Sequence, residues 1–290
     1  MSGKAKLAFC VGVTKSWMFA AANAMLSIRK HFRGPQCDFV VFVETEPSSE
    51  ERRIFRDISE RACFQRFDPQ RIRSEKFKRV SNMAFARFDC FPLLDHYENV
   101  VWIDADACCV GDISGMLDCN TAGIAMFKHA GIPMRVSFCK DVPGVNMDLE
   151  CYNDGIFLLS DRIARYQEIG PLLFSFTDDY MDFINSDQAV VNLMLQKCAL
   201  AVSELPGIYN QRPENATSDS RILHPWGEGK FWNRYYLDEW DCNYLIWKKL
   251  GGPPQPDYEV FRAHRKHFMT RLLRPLRKFK ALAGMERMPL

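Results

Sequence analysis

An α/β fold, with a sheet covered by helices on both faces, is what this chain of 290 residues predicts. Three observations carry the expectation. Segments with strand character alternate with segments of helical spacing. The strand interiors are continuously apolar, as strands buried on both faces are. The fourth strand ends in two aspartates, at the carboxyl edge where sheets of this kind bind ligands.

The elements follow in order. "KLAFCVGV" (Lys6 to Val13) reads as a buried first strand; the lysines before it imitate a signal peptide, but the apolar run is short and Lys15 interrupts it. "SWMFAAANAMLSIRKHF" reads as a helix with Ser16 as N-cap and Gly34-Pro35 beyond its end, Met25, Leu26 and Ile28 forming its core face. "CDFVVFVE" is a second strand, "PSSEERRIFRDISERA" a helix with acids in its first turn, and "CFQRFD" a short third strand. "SNMAFARFDCFPLL" has helical spacing, and "NVVWIDAD" is the fourth strand. From Gly123 to Glu150 the pattern is irregular and loop-like. "GIFLLS" is another buried strand, "INSDQAVVNLMLQKC" a helix, "LAVSELPGIYN" a strand running into a turn, and "RILHPWGEGKFWN" a strand followed by a glycine-containing loop.

Composition narrows the class. The chain is 47% hydrophobic and 26% charged, an ordinary globular balance with apolar mass enough for a sizeable core. Its 11 cysteines form an odd set with no CxxC pair, so they read as reduced and mostly buried, Cys108 and Cys109 as packing residues. In a reduced chain the sequon at Asn215 is a chance match. No segment is long enough to span a bilayer. The expected setting is cytoplasmic.

Asp104 and Asp106 stand two apart, so in strand geometry both point to one side. Two close carboxylates resist joint ionisation unless a cation neutralises them. All-oxygen ligands suit Mg²⁺ or Mn²⁺, which can bridge to a diphosphate leaving group. A second reading is a phosphatase of the haloacid-dehalogenase kind, with Asp104 as nucleophile and "TDD" (Thr177 to Asp179) as a later acidic pair. The distant block "HPWGEGKFW" weighs between them: His224 offers a third ligand, Gly227 lets the backbone approach phosphate, and Lys230 offers charge to a departing diphosphate. Alone, that block also fits a turn with a structural histidine.

Taken together and in order, five segments resemble glycosyltransferase family 8, the retaining GT-A enzymes. "AFARF" is similar to a Y-x-R segment, "VVWIDAD" to the strand with D-x-D, "YNDGIFLLS" to the Asn-x-Gly strand, "SDQAVVN" to the Asp-Gln-x-x-x-Asn helix, and "HPWGEGKFW" to H-x-x-G-x-x-K-P-W. The resemblance implies a GT-A fold, a Rossmann-like mixed sheet flanked by helices, over about Leu7 to Trp232. It implies that Asp104, Asp106 and His224 hold Mn²⁺ (or Mg²⁺) against the diphosphate of a nucleotide-sugar donor, usually UDP-linked. Gly227 and Lys230 match phosphate-contacting positions, Arg87 an arginine that reaches the donor, and Ala105 the residue between the aspartates. Asn153 and Asp154 line the sugar pocket. Gln188, Asp187 and Lys230 carry the catalysis: Gln188 stabilises positive charge at the anomeric carbon, Asp187 is a rival nucleophile or an orienting carboxylate, and Lys230 stabilises departing UDP. A glycan or glycolipid is the acceptor of the hexose.

Departures from the pattern matter too. The first strand-loop, "VGVTKSW", lacks an acid, so Thr14 and the backbone of Val11, Gly12 and Val13 are what remains to contact a base and ribose. Phe231 replaces a proline, and Asp154 a smaller residue. A non-catalytic sugar-nucleotide-binding protein is the remaining alternative. Trp240 and Trp247 read as packing; His129, His264 and His267 read as surface residues without partners. Residues 1–250 are expected to form the transferase domain, and 251–290 a Pro/Gly linker with a basic amphipathic tail. That tail runs through Arg262, Arg265, Lys266, Arg271, Arg274, Arg277, Lys278 and Lys280 without an acid, with Pro275 interrupting any single helix. It suits an anionic membrane surface on the inner face. No nucleic-acid reader motif is present, so nucleic acid is not an expected partner.

Overall fold

A computed structural model describes residues 4–72 and 81–265. Seven strands form one mixed sheet. β1 (Ala5–Val13), β2 (Asp38–Val43), β3 (Ala62–Arg66) and β4 (Tyr97–Ile103) make its parallel part. A two-residue strand, β5 (Cys108–Cys109), follows outside this sheet. β6 (Ile124–Pro133) and β7 (Glu150–Ser160) then pair antiparallel, and β8 (Ser203–Glu204) closes the edge, giving the order β3-β2-β1-β4-β7-β6-β8. β4 meets β7 antiparallel, so the sheet changes direction where the two aspartates emerge. β9 (Ile222–Leu223) pairs with β5 in a small second sheet, which brings the His224 segment alongside the aspartates although it lies over a hundred residues later.

Helices α1 (Met18–His31), α2 (Ser49–Ile58) and α5 (Asp238–Lys249) pack with one core cluster, α3 (Tyr166–Asp179) and α4 (Asp187–Lys197) with the other. α2 begins as its sequence demands: Ser48 accepts from the Glu51 amide, and Glu51 reaches back to the Ser48 amide. α1 begins one residue later than an N-cap at Ser16 would place it. A 3-10 turn, Lys15–Trp17, precedes it, and the Ser16 hydroxyl meets Thr14 at 3.2 Å instead of capping the helix. Met25 and Ile28 are buried, whereas Leu26 is only partly covered.

Elsewhere the sequence reading is corrected. "SNMAFARFDCFPLL" winds as 3-10 helix, Asn82–Cys90 then Pro92–Asp95, the proline dividing it. The irregular stretch after Gly123 holds the ten-residue strand β6, whose register shifts mask any clean alternation. The strand expected from Leu200 is only two residues long. α3 and α5 have no counterpart in the sequence reading.

At residue 251 the chain does not leave the body of the protein. A Cβ on Gly252 would lie 2.1 Å from the Trp247 ring, so only glycine lets the backbone fold over that indole. Trp247 Nε1 donates to Pro253 O at 2.9 Å, and residues 256–265 are helical, with Tyr258 fully buried and Arg262 ion-paired to Asp241. His264 is exposed. His267 and the basic tail beyond it lie outside the described residues. No helix among the described residues is long and apolar enough to cross a membrane.

Candidate functional site

β4 ends at Ile103 and the chain turns, the Asp104 amide donating to Gly155 O at 2.8 Å on the neighbouring β7. Both aspartates face one imidazole: His224 Nε2 lies 3.6 Å from Asp104 Oδ2 and 3.4 Å from Asp106 Oδ1. Ligand atoms of the three residues lie within 4.8 Å of one another. Gly155 forms the floor beneath them. A Cβ there would stand 2.2 Å from His224 Cε1 and 2.8 Å from Asp104 Oδ2. Two carboxylates, a nitrogen ligand and a floor kept free of a side chain fit Mn²⁺ or Mg²⁺.

The aspartates are not equivalent. Asp104 takes hydrogen bonds from Trp102 Nε1 at 2.7 Å and Arg87 Nη2 at 2.8 Å. Burial nevertheless pushes its carboxyl above the ordinary range. Burial acts on Asp106 too, but the His224 ring facing it and the Lys230 ammonium outweigh it and hold that carboxyl well below the usual range. The Lys230 ammonium is ion-paired to Asp106 and donates to Pro225 O at 3.0 Å. Of its three N–H groups, one remains for a ligand.

Arg87 is heavily engaged within the protein. It makes three hydrogen bonds, Nε to Ala84 O at 2.8 Å, Nη1 to Asp154 O at 2.6 Å and Nη2 to Asp104 Oδ1 at 2.8 Å, and two further ion-pair contacts, Nη1 with Asp154 Oδ1 at 2.7 Å and Nη2 with Asp187 Oδ2 at 3.2 Å. The side chain is a buried clamp on three carboxylates, at the edge of the cavities beside the aspartates. Burial alone would lower its pKa; Asp104, Asp154 and Asp187 together raise it. Burial likewise pushes Asp154 well up, with Asp187 and Asp104 adding to the effect against Arg87.

Two adjoining cavities share Arg87, Asp104, Asp106, Gly227 and Lys230. The larger, about 940 Å³, reaches Gly12, Val13, Thr14 and Ala105. The side chain of Val11 is buried in β1 and lines neither cavity. Trp17 and Trp232, ring centroids 4.5 Å apart, wall this cavity, and no motif announces Trp17. The smaller cavity, about 450 Å³, gathers His224, Asn153, Asp154, Asp187 and Gln188. Sequence reasoning misses His129 and Trp226 there. His129 is not the partnerless surface residue that the sequence suggests; it is buried, its Nε2 is 3.2 Å from Asn153 Nδ2, and its ring centroid is 5.3 Å from that of Trp226. Burial, and then His224, lower its pKa. Its position follows from the register shift in β6, which period-two reading cannot locate. Trp240 and Trp247 are buried packing residues, as expected.

The "Glycosyl transferase family 8" model matches residues 8–235. No curated protein sequence matches significantly. Among solved structures, the galactosyltransferase LgtC in complex with donor and acceptor sugar analogs is 15% identical at a TM-score of 0.66, the match covering 86% of this chain and 98% of that one. The bifunctional glycosyltransferase WbbM is 17% identical at 0.60, covering 86% and 52%. GlyE of Streptococcus pneumoniae TIGR4 is 17% identical at 0.56, covering 86% and 65%. These likenesses establish the GT-A fold.

Proposed function

The chain belongs to glycosyltransferase family 8, and from that premise we propose that it is a metal-dependent retaining enzyme that moves a hexose from a UDP-linked donor to a glycan or glycolipid. The observation that carries the reading is one constellation: Asp104, Asp106 and His224 converge beside Lys230, and Asp187 and Gln188 line the same cavity. Family membership displaces the phosphatase alternative. Its second acidic element, Asp178 and Asp179 at the end of α3, also lines neither cavity.

A divalent cation on Asp104, Asp106 and His224 would supply Lewis-acid stabilisation to the departing diphosphate. The protein's own groups do the rest. The third N–H of Lys230 meets developing charge on the leaving oxygen. The Asp187 carboxylate, paired with Arg87 at 3.2 Å, would forfeit that pairing on attacking carbon, which supports its role as an orienting group. Gln188 presents an amide, a poor nucleophile but a dipole suited to positive charge at the anomeric carbon. Front-face attack within a short-lived ion pair follows. Trp17 and Trp232 offer apolar faces to the nucleoside where the first strand-loop lacks an acid.

The test is incubation of the protein with a panel of nucleotide sugars and Mn²⁺, followed by NMR of the released or transferred sugar. Retained anomeric configuration from a UDP-hexose is expected. An inverted product, or no turnover of any donor, overturns the reading, the latter in favour of a non-catalytic binding protein. For the proposed membrane contact, a chain ending at Arg265 keeps Tyr258 and Arg262 in place. It should lose sedimentation with anionic vesicles while still hydrolysing donor; unchanged sedimentation refutes the contact.

A further inference from the structure

Which nitrogen of His224 carries the proton is decided away from the ring. Gly155 N–H donates to Asn153 Oδ1 at 3.0 Å. A backbone amide can only donate, so this end of the Asn153 amide is oxygen and cannot be flipped without loss. The same oxygen lies 2.8 Å from Asn210 Nδ2, which must therefore be the NH₂ end of Asn210. Asn210 Oδ1 then faces His224 Nδ1 at 2.9 Å, and two acceptors cannot share that contact without a proton on the ring nitrogen. Nδ1 holds it, which leaves Nε2, 3.6 Å from Asp104 and 3.4 Å from Asp106, as the one ring nitrogen that a cation could take. All three side chains are buried, so no exposed group competes.

Asn153 has a second arm. Its two N–H bonds go to His129 Nε2 at 3.2 Å and Gln188 Oε1 at 3.3 Å. Gln188 is thereby oriented, its NH₂ group directed to Ser137 Oγ and Cys151 Sγ, each at 3.2 Å.

We propose that Asn153 and Asn210 are positioning residues: a two-amide relay anchored on the Gly155 N–H fixes His224 as the Nδ1–H tautomer for a divalent cation, while the other arm of Asn153 sets Gln188. The cation part rests on the function proposed above; the tautomer does not. Partners that orient a metal-bound imidazole contribute about 10–100-fold to affinity or activity.

The wild-type, metal-free protein decides the first point. With ¹⁵N-histidine and a pH at which the rings are neutral, long-range ¹H–¹⁵N correlations should show Nδ1–H at both His224 and His129. An Nε2–H tautomer at His224 overturns the relay whether or not any variant folds. Two variants then separate the arms, with Mn²⁺ binding followed by calorimetry. Asn210→Leu should weaken Mn²⁺ by about 10–100-fold; an unchanged affinity overturns the proposal. Asn153→Asp keeps the oxygen facing Gly155 and Asn210 but removes both donors. It should leave Mn²⁺ affinity undiminished and lower kcat about 10-fold with little change in donor KM. Equal losses of metal affinity in both variants overturn the division into arms. A wild-type protein with Nδ1–H at His224 that binds no Mn²⁺ supports the tautomer relay and defeats the metal reading alone.

Discussion

Two buried clusters in this protein hold their members by opposite means. Around α1 and α5, Phe19 meets Trp232, Trp240 and Tyr244 edge to face, with 5.9 Å to Tyr244, while Tyr244 lies 4.8 Å from Tyr258 between centroids and Trp247 packs on Phe55. At the end of β4, Arg87 holds Asp104, Asp154 and Asp187 by charge and hydrogen bonds, and Lys230 holds Asp106. Burial itself stabilises the first cluster. In the second, burial works against every ion, and charge pairing offsets the desolvation without a clear surplus. The aromatic cluster therefore supplies stability. The charged one contributes geometry: Arg87 and Lys230 hold four carboxyl groups in place around the candidate cation site.

The largest effects should break the comparison from each side. Trp240→Ala is expected to lower stability by about 3–5 kcal/mol, because a fully buried indole leaves a cavity. Mn²⁺ affinity of the folded fraction should not change; a large loss of affinity would merge the two clusters into one. Arg87→Met strands three carboxylates and is expected to cost about 3–5 kcal/mol in chemical denaturation. A near-neutral result would mean that Asp154 and Asp187 already share enough protons to do without it.

Smaller changes sharpen the contrast. Gly155→Ala should reduce Mn²⁺ affinity about 10–100-fold, since the new methyl displaces His224 and Asp104; titration with the metal reads it directly. With pH the sign follows from Asp104. Its carboxyl is raised by burial, so it protonates before Asp106 as pH falls, and a protonated carboxyl is lost as a ligand. Mn²⁺ affinity should thus decline as pH drops through a point above the ordinary aspartate value of about 3.9, and an affinity flat to below that value contradicts the assignment. Least of all, Glu259→Gln removes a half-exposed ion pair with Lys248 and should shift stability by about 0–1 kcal/mol in thermal unfolding.

The same contrast explains what could be read along the chain. Three strands of the parallel half announce themselves because each carries an unbroken apolar run, Leu7 to Val13, Phe39 to Val43 and Val100 to Ile103, a local property. β6 does not, because its bulges break the period and its neighbours come from β7 and β8. Asp104, Asp106 and His224 were legible as ligand types in a family order. His129 was not, since a lone imidazole carries no sign of the Asn153 amide 3.2 Å away. The "GGPPQP" segment reads as a linker by composition, yet Gly252 and Pro253 are bound to Trp247.

By itself the sequence determined the α/β class, the apolar strands, the capped start of α2, and the residue types able to hold a cation beside a diphosphate. These depend on chemistry within a few positions of the chain, or on an ordered set of short blocks. Only the tertiary structure decided that Arg87 is spent on three carboxylates and that the tail's first helix docks on α5. It also decided that a backbone N–H on β7 orients His224 through two amides. Each of those is a relation between groups brought together by the sheet's change of direction beside β4, and no local pattern records which atoms will meet there.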